Sequence, residues 1–127
     1  MRKTDLTILF RAFGAAEYAL LVRNGFTAFP EQLPHQPIFC PAATEEYASE
    51  IARDWNARDA ASGYVGYVAR FAVRSEHLTR FPLQTVGPGK REYRVPAKHV
   101  PEFNRNIVGL IEVVAEFRAA HRARAAE

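Results

Sequence analysis

Between Tyr64 and Arg74 the chain reads YVGYVARFAVR, and this stretch limits the possible folds more than any other. Tyr67, Ala69, Phe71 and Val73 fall on every second position, with Arg70 and Arg74 between and after them. Side chains of a strand point alternately to its two faces, so this period of two predicts a half-buried strand. A strand needs partners, and several other segments qualify. Residues 6–10 are a short apolar run that ends at Arg11 and reads as a first strand. Ile38-Phe39-Cys40 is a brief strand candidate inside a proline-rich loop marked by Pro30, Pro34, Pro37 and Pro41. Residues 83–86 and 92–95 read as two strands around the turn Gly87-Pro88-Gly89. Residues 107–117 alternate as a strand through Ile111, Val113, Ala115 and Phe117. They also stripe a helix through Ile107, Leu110, Ile111 and Val114, and the β-branched content favours the strand.

Helical patterns lie mostly in the first half. After Gly14, Tyr18, Leu21 and Val22 share a helical spacing, and Asn24-Gly25 supplies a stop. Residues 26–29 read as a brief extended piece before Pro30. Thr44 is an expected N-cap, followed by Glu45 and Glu46, which suit the positive end of a helix dipole. Tyr47, Ala48, Ile51, Ala52 and Trp55 then mark one helix face, closed by a polar stretch and Gly63. Ser75 is expected to cap a helical turn reaching Arg80, and Pro101 suits the first turn of a short helix over Glu102 and Phe103. Helices early and strands late give a mixed α+β domain and argue against a doubly wound parallel sheet.

A chain of 127 residues, 48% hydrophobic and 24% charged, suits one domain with its own core. We place that domain over residues 1–118, with a basic tail over 119–127 that carries Arg122 and Arg124. Cys40 is the one cysteine, which excludes an intramolecular disulfide and a cysteine-based zinc site and fits a reducing compartment. No run approaches the roughly 18 apolar residues of a membrane helix, and no signal-peptide pattern opens the chain. The expected location is cytoplasmic, with no membrane partner. The net charge of +3 is mild, so nucleic-acid binding through the tail is a minor expectation.

Common catalytic patterns are absent. Gly87-Pro88-Gly89-Lys90 lacks the spacing of a phosphate loop. His35, His77, His99 and His121 form no His-x-x-x-His pair, so no metal is expected. No nucleophile-elbow pattern surrounds Ser49, Ser62 or Ser75.

Three pieces, in order, resemble ADP-ribosyltransferase-like proteins. They are Leu9-Phe10-Arg11 followed by a helix and Gly25-Phe26; Ile38-Phe39-Cys40-Pro41 followed by the helix from Tyr47; and the glycine turn leading to Glu92-Tyr93-Arg94-Val95-Pro96. The stretch from Gln84-Thr85-Val86-Gly87 through Phe117 is similar to small bacterial proteins labelled "ADP-ribosylation/crystallin J1". The resemblance implies an ADP-ribosyltransferase-like pair of split antiparallel β-sheets with short flanking helices, gripping NAD in a cleft and needing no metal. It implies that Arg11 holds a ribose or phosphate, since a guanidinium offers a planar fork of donors. It implies that Phe39 and Tyr47 stack on the nicotinamide ring. It also implies that Glu92 is the catalytic carboxylate, stabilising the oxocarbenium-like cation as nicotinamide leaves. Cys40 and Pro41 stand where that family carries a Ser-Thr or Tyr-Ser pair, and Lys90 stands where a Glu or Gln serves arginine-directed transfer.

The leading expectation is therefore an NAD-processing enzyme, an ADP-ribosyltransferase or an NAD glycohydrolase. The alternative is a non-catalytic module on the same fold that binds a nucleotide or a protein.

Overall fold

The period-two segment is the centre of the sheet. The computed structural model describes residues 2, 4–30 and 37–119. In it β1 (Leu6–Phe13) and β7 (Ile107–Arg118) flank β3 (Val65–Arg74), both antiparallel to it. Leu6 faces Arg74 and Phe13 faces Tyr67, so β1 runs the length of β3 without a slip. The β3–β7 pairing carries irregularities beside Val68 and Ala72, and Gly109, at φ 82°, supplies the left-handed backbone nearby. The ambiguous stretch 107–117 is thus a strand, with Ile111 buried and its neighbours Leu110 and Glu112 exposed.

The helices meet the expectations closely at their starts. Gly14 precedes α1 (Ala15–Arg23), and Thr44 precedes α2 (Glu45–Asp54) with its hydroxyl accepting the Tyr47 N–H at 3.2 Å. Two 3-10 turns, Asn56–Arg58 and Ala60–Ser62, follow α2 and stop at Gly63, where φ is 75°. Ser75 is the first residue of α3 (Ser75–Leu78) and not its side-chain cap. Its hydroxyl is instead paired with that of Thr7 at 2.6 Å. The helix over Pro101 is α4 (Val100–Arg105).

No strand forms at residues 26–29. Phe26 adopts φ 60° as its N–H closes α1 onto Leu21. Phe29 finds its polar partners in one side chain: Asn104 accepts from its N–H and donates to its carbonyl, both at 2.9 Å. A distant carboxamide thus does the work of a strand partner.

The two faces of the sheet are filled differently. One carries Leu9, Phe13, Phe71 and Val73, packed with Phe29, Phe39 and Phe103 into an aromatic core. The other lies under α2, where Ala48 and Ala52 rest on Ala42 and Val68. The approach is so close that a Cβ on Gly66 would stand 2.1 Å from the Ala52 carbonyl oxygen.

Short strands extend the sheet beyond β1. They are β2 (Ile38–Phe39), the hairpin β4 (Leu83–Gly87) and β5 (Lys90–Tyr93), and β6 (Val95–Pro96). Ile38 pairs with Pro96, Phe39 with Val95 and Ala42 with Glu92, all in one antiparallel register. Ala42 also pairs with Phe10, so a single residue ties β1 to the strands that carry Glu92. The architecture is mixed α+β in small antiparallel sheets. Among the described residues no helix is long and apolar enough to cross a membrane. The expected basic tail lies outside the described residues except for Ala119, which is buried.

Candidate functional site

At Ala42 the sheet splits. Phe10 and Ala42 exchange both backbone hydrogen bonds, at 3.0 and 2.6 Å. Beyond that bridge β1 continues along β3 while β2 keeps to β6, and the two strands part. Strand alternation turns the Ala12 amide and carbonyl toward the gap. The result is a cleft of about 800 Å³. Arg11, Gly14 and Glu17 stand on one wall, Ile38 and Cys40 on another, and the chain after α2 closes it with Trp55, Asn56 and Asp59. The volume lies within the range of small-molecule and cofactor sites.

Arg11 stands in this cleft but is already engaged. Its Nε and Nη2 donate to the two carboxylate oxygens of Glu17 at 2.6 and 2.8 Å. Its guanidinium lies 4.5 Å from the centre of the Phe39 ring and 6.0 Å from that of Phe29. Burial pulls the Arg11 pKa down, but the Glu17 carboxylate outweighs it and the net shift is upward. Phe39 itself is fully buried in the aromatic core and is absent from the cleft wall. Its ring face is covered by Arg11, so it offers no stacking surface to a ligand in this arrangement.

Tyr47 and Glu92 come together on the opposite face. The α2 helix sits over Ala42, and Ala42 pairs with Glu92, so the Tyr47 hydroxyl reaches the carboxylate and donates to Oε1 at 2.8 Å. Glu92 and Arg94 share a strand face, with Arg94 Nε 3.4 Å from Oε2 outside good hydrogen-bond geometry. The Cys40 thiol lies close enough to feel the Glu92 carboxylate. Burial first, and then the Glu92 charge and hydrogen bond, push the thiol up to about 11. The same causes push the Tyr47 phenol up to about 12. Both groups therefore keep their protons at neutral pH and offer them to one carboxylate.

The four residues expected to form the site thus fall into two pairs, Arg11 with Phe39 and Tyr47 with Glu92, on opposite faces of the strands. Cys40 joins them. It lines the cleft beside Arg11 and feels the charge of Glu92. Neither Tyr47 nor Glu92 lines the cleft itself.

Three features had no place in the sequence expectation. Glu17 neutralises Arg11 across a strand–helix junction, a spacing without a sequence signature. Trp55, which shares a helix face with Ala48 and Ala52 in the sequence, is 66% exposed at the cleft rim. Arg94 reaches a second hollow of about 430 Å³, where Arg80, Phe81 and His99 also stand. Among the described residues no group of three or more His, Cys, Asp or Glu side chains could hold a metal ion. Compared with family models, curated proteins and solved structures, the chain matches none of them.

Proposed function

We propose that this protein binds a nucleotide of the NAD class in the cleft between β1 and β2, and that Glu92 is the carboxylate that acts on the bond between nicotinamide and ribose. The observation that carries this reading is the position of Cys40. It puts Glu92 one side chain away from a hollow of dinucleotide size. In the reaction the glycosidic bond breaks, its electron pair leaves with neutral nicotinamide, and the ribose carbon becomes cationic. A carboxylate beside that carbon lowers the barrier by electrostatic attraction. Water as the acceptor gives hydrolysis, and another nucleophile gives ADP-ribosyl transfer. The ADP-ribosyltransferase-like arrangement of split sheets belongs to the same proposal.

A second reading, binding without turnover, is favoured by one specific observation. Arg11 is matched by Glu17 and Glu92 by Tyr47, so both charged groups are satisfied before any ligand arrives. Two measurements separate the readings. A ligand that binds only the folded state raises the melting temperature, so NAD or ADP-ribose raises it under either reading. Nicotinamide release, followed by chromatography, is expected for the enzyme and is lost in Glu92→Gln. A melting shift without release leaves the binding module. No shift with NAD, ADP-ribose or other nucleotides removes both.

A further inference from the structure

The cleft wall carries a chemistry of its own. Trp55 is the one tryptophan of the chain, and two-thirds of it is exposed where it lines the cleft. It is not a loose surface residue. Its N–H is held by the Ile51 carbonyl at 2.9 Å, and its carbonyl accepts from Arg58 at 3.1 Å, so both sides of its backbone are fixed by helical turns. Next to it Asn56 is only 9% exposed. Its amide nitrogen donates to Ser62 Oγ at 3.0 Å, and Ser62 Oγ donates to Asp59 Oδ2 at 2.8 Å. The Asn56 Oδ1 atom is buried without a partner. A buried acceptor in that state invites a donor.

Charge narrows the choice further. Among the described residues lining the cleft, the formal charges are those of Arg11, Glu17 and Asp59. Arg11 and Glu17 cancel in a two-point ion pair, and the Cys40 thiol stays neutral. Asp59 leaves the wall acidic and rich in acceptors. Among the described residues a doubly charged pyrophosphate would meet like charge there without a spare cation. A flat aromatic base with hydroxyl-bearing sugar meets a stacking surface and acceptors.

The geometry points to the nucleoside portion of a ligand as the occupant of this cleft. The base, uncharged or cationic, stacks on Trp55, the sugar hydroxyls donate to Asp59, and any phosphates lie outside. This rests on the reading of the cleft as a nucleotide site and adds which end of the nucleotide enters.

The test uses adenosine, nicotinamide riboside, ADP-ribose and inorganic pyrophosphate. With one tryptophan, the emission of the wild-type protein reports on Trp55 alone. Adenosine and nicotinamide riboside are expected to change that emission, and ADP-ribose to bind within about threefold of adenosine, with little dependence on salt. By calorimetry Trp55→Ala weakens adenosine roughly tenfold, and Trp55→Phe, which keeps a ring, weakens it less. Trp55 is exposed, so both variants are expected to melt as the wild type does. If NAD or ADP-ribose raises the melting temperature while tryptophan emission and the affinity of Trp55→Ala stay unchanged, the nucleoside assignment falls and the cleft reading stands. If pyrophosphate displaces adenosine, the cleft holds phosphate and the assignment falls. If no nucleoside or nucleotide binds by calorimetry, both fall.

Discussion

Arg11 follows Phe10 on one side of the Ala42 bridge and Glu92 pairs with Ala42 on the other, and the two charges are held in opposite ways. Arg11 meets an equal and opposite charge in two-point contact, with both side chains about 15% exposed. Glu92 is as well covered, at 12%, but its short hydrogen bond comes from a neutral donor, the Tyr47 hydroxyl. Its cation, Arg94, stands off at 3.4 Å and is itself 41% exposed. The first arrangement is closed: removing either partner strands a charge in the core. The second leaves a carboxylate whose short hydrogen bond comes from a neutral hydroxyl and whose cation stands farther off. A group expected to meet a developing positive charge is better served by the second, since no two-point ion pair need be broken to expose its field.

The largest effect that would break this contrast comes from the closed pair. Glu17→Gln leaves Arg11 charged and uncompensated against Phe39, and is expected to cost about 3 kcal/mol of stability, measured by denaturant unfolding. The double variant Arg11→Met, Glu17→Leu removes both charges and is expected to cost much less. Equal losses in the single and double variants would show that packing, not charge, holds the site. Tyr47→Phe tests the other side. It removes one neutral donor from Glu92 and keeps the ring, with an expected cost of about 1 kcal/mol. A loss as large as that of Glu17→Gln would erase the distinction between the two sites.

The same contrast explains what could be read from the chain. The strand Val65–Arg74 was legible because its period sets which side chains are buried, and the sheet is built around it. The start of α2 was legible because capping is local: Thr44 and the Tyr47 amide are three residues apart. Arg11, Tyr47 and Glu92 could be named one by one from a resemblance, but their partners could not. Tyr47 meets Glu92 only because Ala42 bridges β1 and β5, an event 45 residues wide. The piece over residues 26–29 pairs with no strand, because Asn104, 75 residues from Phe29, settles that backbone. Trp55 shares the helix spacing of Ala48 and Ala52 but is exposed, because periodicity counts hydrophobic side chains and cannot see which of them the packed surface covers.

The smallest effect sharpens the comparison most directly, because it reads the field of Glu92 through a neighbour. Cys40 is the one thiol of the chain, so alkylation rate against pH gives its titration without ambiguity. A thiol held at about 11 has roughly a thousandth of its population as thiolate at pH 8, so the folded protein is expected to react slowly. Glu92→Gln removes a charge and a strong acceptor but leaves the burial, which is the larger cause. The thiol should therefore titrate lower than in the wild type yet still above its ordinary range, with alkylation at pH 8 several-fold faster. The stability consequence has a definite sign. In the unfolded chain Cys40 and Tyr47 lose their protons near 9 and 10, and in the folded chain near 11 and 12. The folded state thus holds more protons between those limits, and stability falls as the pH rises from 9 toward 12. In Glu92→Gln that alkaline fall should begin at the same pH and be shallower. An unchanged thiol titration in this variant would mean that burial alone raises it, and that Glu92 exerts no field at the one atom linking it to the cleft.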